Sequence, residues 1–346
     1  MIVPEAVVHN FTYPVTCISI IANAALIFII LTTPNTHVGN YRYLLMAFSI
    51  VDICISIVHF VVVPALTMTE FGFIFIGFRF IGQSTAVGVC TNLLFVALFY
   101  QTFVLLAFHY VYRYVLLCNP KGLRWIGADH PWRNWIAIAV VMDILYIGGY
   151  MVAVSIGFIP SDNARAAFES TLLESYNIDL SASNKPGYLG IVYKVLQEDG
   201  TYKWSFQALT SLFLIILLFF GSGFVIVFCT LKMWKEMKRT NSIVANRTRL
   251  MQMQLFRALL IQTIVPTVTS YVPLGLVFVV PLFGISIGGW ATVSMMSTAL
   301  FPLIDPFLAV FLISGYRARL PKFLRKSTTS TINVSPQTIS TQLSRS

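Results

Sequence analysis

Residues 206–231 read FQALTSLFLIILLFFGSGFVIVFCTL, without a single charged side chain. The hydrocarbon core of a bilayer is about 30 Å thick, and about 20 helical residues cross it. This stretch is long enough. It must be helical, because lipid offers no partner to an unpaired backbone N–H or C=O. Six further stretches have comparable apolar character: 13–31, 43–66, 84–108, 134–158, 256–281 and 286–313. The expected fold is an all-α membrane protein, a seven-transmembrane helix bundle.

Composition agrees. Charged residues make up 10% of the chain and hydrophobic ones 57%, with mean hydropathy +0.79. A soluble domain carries about 25% charged residues, so a soluble enzyme with an apolar core is excluded. The excess of Phe (28) over Trp (6) suits lipid-facing helices. The net charge of +10 does not imply nucleic acid here, because the charge follows the topology.

Basic residues resist translocation and so mark cytoplasmic loops. With the N-terminus outside, the outer segments hold only Arg79, Arg165, Lys185, Lys194 and Lys203 of the 23 Lys and Arg. The rest fall in the inner segments, so the C-terminus is cytosolic. Asn10-Phe11-Thr12 is an N-glycosylation acceptor in the segment placed outside. Outer loop 2 contains no cysteine, so no disulfide is expected to anchor it.

The chain divides into an extracellular N-terminus (1–12), a membrane domain (13–313) and a cytosolic basic segment with a Ser/Thr-rich tail (314–346). The stretch at 71–80, FGFIFIGFRF, is too short to span. Its alternating Phe residues fit a strand in outer loop 1, packed on outer loop 2; a re-entrant segment is the competing reading. Inner loop 3 lacks Pro and Gly, so spans five and six are expected to extend into the cytosol as helices.

Ionisable groups inside a membrane are costly and usually functional. Asn23, Asp52 and Asp305 sit at mid-depth or toward the cytosol and are expected to form a polar switch network; a static packing cluster is the alternative. Asp143 has no evident partner. Pro64, Pro266, Pro273, Pro302 and Pro306 punctuate the spans and permit kinks. No HExxH, GxSxG, Walker loop or CxxC pair is present, so neither an enzyme nor a bound cofactor is expected.

Four local patterns add specificity. Gly39-Asn40-Tyr41-Arg42-Tyr43-Leu44-Leu45 opens span two, and His109-Tyr110-Val111-Tyr112-Arg113-Tyr114 closes span three. Arg249-Leu250-Met251-Gln252-Met253-Gln254-Leu255-Phe256-Arg257 with Gln262, Thr263 and Pro266 opens span six. Pro302-Leu303-Ile304-Asp305-Pro306 with Phe311, Tyr316 and Arg317 closes span seven. In this order they resemble the nematode serpentine chemoreceptors, most closely the seven-transmembrane Str family, which includes the diacetyl receptor. The resemblance covers nearly the whole chain.

It implies a G-protein-coupled olfactory-type receptor for small environmental chemicals, at the plasma membrane of a sensory cilium. Its implied partners are an odorant or soluble attractant or repellent, a heterotrimeric G protein, membrane lipid, and an arrestin and receptor kinase at the tail. Arg113 takes the place of the arginine that ends the third helix and meets the G protein. His109 and Tyr112 stand where an acidic neighbour is usual, so the familiar ionic lock is not expected. Pocket candidates in the outer halves are Asn92, Phe95, Trp204, Gln207, Tyr271 and Trp290. A basic collar of Arg113, Lys235, Lys238, Arg239, Arg247 and Arg249 faces the G protein, and also suits anionic lipid. The competing classes are a ligand-gated channel or transporter, which needs a continuous polar route, and a non-sensory peptide receptor.

Overall fold

The computed structural model describes residues 3–33, 41–118, 131–176, 178–179, 186–197, 199–239 and 246–318; side chains at 131–133, 163, 175 and 246–251 are not described. Seven helical spans are long and apolar enough to cross a membrane: Glu5–Thr32, Tyr41–Val62, Thr85–Cys118, Asn134–Gly157, Phe206–Arg239, Gln252–Phe283 and Gly288–Leu312. Span five continues past the apolar stretch to Arg239, and the helix leading into span six begins at Asn246. Both cytosolic extensions are as expected. Span one packs on span two and the inner half of span seven, and span three packs on spans two, four and five.

Span two ends earlier than its hydropathy suggests. The helix stops at Val62, and Val63 takes φ 48°. The residue before a proline is disfavoured in the helical region, and Pro64 follows. Pro64 therefore opens a strand and does not kink a span. Strand β1 (Pro64–Thr69) pairs antiparallel with β2 (Gly72–Gly77), which pairs antiparallel with β3 (Leu189–Val192) from outer loop 2. Thus the centre of FGFIFIGFRF, Gly72–Gly77, forms a strand bound to outer loop 2, Phe78–Phe80 closes it with a 3-10 turn, and the re-entrant reading is set aside.

Side chains alternate between the two faces of a strand. Here Leu66, Met68, Phe73, Phe75 and Ile191 join the core of the bundle. Ala65, Ile74, Ile76 and Val192 pack instead with Ala164, Phe168 and Leu172 of a loop helix, Asp162–Tyr176. Both faces of the sheet are buried, which accounts for its unbroken apolar character. A short hairpin, β4 (Lys194–Leu196) with β5 (Tyr202–Trp204), leads into span five.

Close backbone contacts anchor this sheet without a disulfide. A Cβ on Gly72 would run into the Ile191 carbonyl, and one on Gly88 would lie 2.6 Å from the Gly187 backbone. The Gly88–Gly187 approach brings outer loop 2 against the top of span three. The free edge of β1 is met by span seven: Thr292 Oγ1 donates to the Leu66 carbonyl at 2.8 Å and accepts from the Leu66 N–H at 3.1 Å. One hydroxyl thus acts as a strand neighbour.

Buried backbone groups left without partners cost about 1–3 kcal/mol each. Thr292→Val is therefore expected to lower the thermal unfolding temperature of the purified chain. Thr292→Ser, which keeps the hydroxyl, should remain near wild type.

Candidate functional site

Beneath the sheet lies a cavity of about 480 Å³. Its floor and walls are aromatic and aliphatic groups from spans three to seven, including Phe95, Phe99, Tyr150, Phe219, Tyr271 and Met295. Leu66, Phe73, Phe75 and Leu189 of the sheet form its outer wall. No charged side chain lines it. Tyr150 stacks on Tyr100 with ring centroids 4.1 Å apart, which holds the span-four wall against span three.

Tyr271 is positioned by an irregular stretch of span six. Val272 N–H bonds the Thr267 carbonyl five residues back, so residues Thr267–Tyr271 form a π-helical turn. Such turns re-aim side chains and often mark functional sites. Pro273 follows the turn and has no N–H to continue the bonding ladder. Ser297 Oγ of span seven lies within hydrogen-bond distance of the Thr269 carbonyl in the turn and of its own Ser294 carbonyl. The Tyr271 ring stacks on Phe103, and its hydroxyl lies 3.4 Å from Thr102 Oγ1 of span three. Tyr271 also sits within electrostatic reach of Asp52 and Asp305.

Those acids belong to a polar layer below the cavity. Pro306 likewise orphans the carbonyl of Pro302, and Asn23 Nδ2 donates to it at 2.8 Å. Asn23 Nδ2 also bonds the Ser19 carbonyl, while Ser19 Oγ meets Ser56 Oγ at 2.8 Å. Spans one, two and seven are joined in this way. Asp305 Oδ2 accepts from Gln262 Nε2 of span six at 3.1 Å. Asp52 is fully buried, close enough to Asp305 for their charges to interact, and has no hydrogen bond to the described residues. Asn23, Asp52 and Asp305 therefore share one region without bonding one another directly. Asp143, read from sequence as unpartnered, accepts a 2.6 Å bond from Gln101 Nε2 on span three.

At the cytosolic end, Arg113 is only 5% exposed. Its guanidinium lies 5.0 Å from the centroid of the Tyr41 ring, and Nη1 donates to Gln252 Oε1 of span six at 3.1 Å. A neutral amide thus holds the arginine where an acid would form an ion pair. Tyr110 and Thr263 hydroxyls add a second tie between the same spans at 2.8 Å. Just beyond the membrane, burial pushes the Tyr316 phenol up to about 12, so it stays neutral among these packed side chains.

Of the six pocket candidates, Phe95 and Tyr271 line the cavity. Asn92 does not: it is buried above, near Gly77 and Val62. Trp204 is exposed on β5 beside Lys194, Gln207 is exposed at the start of span five, and Trp290 is exposed at the start of span seven. Of the collar, Lys235, Lys238 and Arg239 are exposed on the end of span five, with Arg239 paired to Glu236. Arg113 is buried apart from them. The side chains of Arg247 and Arg249 lie outside the described residues. Asn10 is exposed on the first turns of span one. Sequence reasoning gave no functional role to Gln252 or to the cavity-facing Phe73 and Phe75. The alternation in FGFIFIGFRF held the signal for the last two, because every second residue must share a face.

Comparison with known proteins places this architecture. The family described as serpentine type 7TM GPCR chemoreceptor Str matches residues 8–320. Serpentine receptor class r-10 of Caenorhabditis elegans is 26% identical over 305 residues, covering 85% of this chain and 84% of that protein. The G-protein coupled receptor str-217 of the same organism is 26% identical over 321 residues, covering 89% and 87%. Among solved structures, squid rhodopsin superposes with a TM-score of 0.58 at 11% identity, covering 97% of this chain and 94% of that one. The last likeness concerns the fold.

Two outcomes follow from the polar contacts. Asn23→Ala should destabilise the chain by about 1 kcal/mol, the usual scale for such bonds in membranes. In a Pro306→Leu background, where a backbone N–H is restored, the same change should cost measurably less; a double-mutant cycle of thermal unfolding reads this. In the receptor mechanism proposed below, Gln252→Leu raises ligand-independent signalling several-fold over wild type at equal surface expression, because it releases Arg113 from span six.

Proposed function

The chain belongs to the Str family of serpentine chemoreceptors, and we propose that it is a chemosensory receptor that binds a small, neutral, largely apolar chemical in the cavity beneath the sheet and activates a heterotrimeric G protein at its cytosolic face. One observation carries this reading: an uncharged cavity of about 480 Å³ opens among spans three to seven, and Tyr271, which lines it, sits on the π-helical turn of span six. Apolar pockets with a few placed polar groups suit small ligands, and here one lining residue sits on the irregular turn of span six.

A ligand acts by binding one conformation better than another. Contact with Tyr271 and Phe99 favours a span six rotated about its π-helical turn and Pro273. The inner half of span six then swings out, Gln252 leaves Arg113, and the arginine is free to meet the G protein. Lys235, Lys238 and Arg239 on the end of span five frame that opening, and with Arg247 and Arg249 form the basic collar for the G protein and anionic lipid. A glycan on Asn10, arrestin and receptor kinase at the tail, and a place in the membrane of a sensory cilium complete the proposal.

The test is expression in a heterologous cell carrying a second-messenger reporter, screened against neutral volatile and water-soluble chemicals. An active compound should lose potency at least tenfold with Tyr271→Ala. Arg113→Ala should abolish the response while surface expression survives. A ligand-evoked current in cells without functional G proteins would replace this reading with a channel.

A further inference from the structure

The cavity is covered on the outside and uncovered on one flank. Above it, the sheet is bonded to span seven through Thr292, and Ser286 Oγ donates to the Met68 carbonyl at 2.8 Å. Tyr193, just after β3, donates its hydroxyl to the Phe278 carbonyl of span six at 2.9 Å. The loop helix Asp162–Tyr176 packs on the far face of the same sheet. Admission from outside would require lifting two buried layers.

The flank between spans five and six is different. Four cavity-lining side chains there are also on the outer surface of the bundle: Phe220 (75% exposed), Leu276 (56%), Val272 (53%) and Val279 (40%). All are apolar and lie on membrane-spanning helices, so the medium they meet is lipid. Val272, Leu276 and Val279 follow the π-helical turn, in the outer half of span six. These shared residues place the cavity directly beside the outer leaflet.

We propose that the cavity is loaded from the outer leaflet of the bilayer, between spans five and six, by neutral molecules apolar enough to concentrate in lipid. This rests on reading the cavity as the ligand site. Partition into the bilayer rises about fourfold per methylene, so the membrane enriches such molecules at the opening. The uncharged lining accepts them without leaving an ion unpaired, and the Tyr150 and Tyr271 side chains provide the hydroxyls closest to hand.

The test uses the full chain in phosphatidylcholine nanodiscs and a small neutral photolabel, 3-(trifluoromethyl)-3-(3-iodophenyl)diazirine, with adducts mapped by mass spectrometry. Buried lining residues Phe95 and Met295 should be labelled, as should the lipid-facing Phe213 and Phe224. In Val272→Trp/Leu276→Trp, labelling of Phe95 and Met295 should fall at least fivefold while Phe213 and Phe224 keep theirs. In Leu276→Ala, labelling of Met295 after a brief exposure should rise. Undiminished labelling of Phe95 and Met295 behind the two tryptophans overturns the lateral route and leaves the cavity as a ligand site. No label on Phe95 or Met295 in any of the three chains overturns the route and the ligand-site reading together. If the double variant does not fold, Leu276→Ala decides: a rise supports the route, and no change overturns it.

Discussion

A proline in a membrane helix strips one carbonyl of its donor, and lipid cannot replace it. That constraint organises this bundle. Pro306 exposes the carbonyl of Pro302, and Asn23 answers it from span one. Around the π-helical turn before Pro273, Ser297 of span seven reaches the Thr269 carbonyl. In both places an irregularity in one helix is met by a side chain of another. The kinks therefore fix which helices are neighbours, and they place polar contacts where the apolar surface alone would leave the helices free to rotate.

The same reasoning explains the sheet. Strand β1 leaves the bundle at a residue forced out of the helix by Pro64, and its free edge would be buried without partners. Thr292 closes that edge at Leu66. The sheet's two apolar faces are then useful in different ways. One face completes the core of the bundle and walls the cavity, while the other binds the loop helix. A disulfide would hold outer loop 2 at one point. Here strand pairing and the Gly88–Gly187 approach hold it along a line.

Much of this was legible in the sequence. Seven spans follow from apolar length, and their orientation from Arg and Lys placement. The strand at Gly72–Gly77 follows from a period of two. The end of span two did not follow, because Val63–Leu66 is as apolar as a helix and only Pro64 marks the exit. Phe95 and Tyr271 were legible as wall residues, but Trp204, Gln207 and Trp290 share their chemistry and sit outside the cavity. Depth along a helix is readable from a sequence, whereas facing is not, once every face is apolar. Gln252 was part of the pattern that opens span six but was given no role, because an uncharged amide carries no signal until its partner is known.

Span six is held by hydrogen bonds of a kind a small ligand could outweigh. Apart from packing, its side-chain ties to spans three and seven include Arg113–Gln252, Tyr110–Thr263, Gln262–Asp305 and Ser297–Thr269. None pairs two full charges. Truncating one partner of a buried ion pair leaves an uncompensated charge, at a cost of about 3–5 kcal/mol. Arg113 is held instead by an amide and an aromatic face, and in the proposed mechanism its charge is released toward water and the G protein as span six opens. A small apolar ligand supplies only modest differential affinity, on the order of its few buried methylenes at about 0.8 kcal/mol each. A receptor for such ligands needs an inactive state held by ties of comparable size, and neutral hydrogen bonds at about 1 kcal/mol net are of that size.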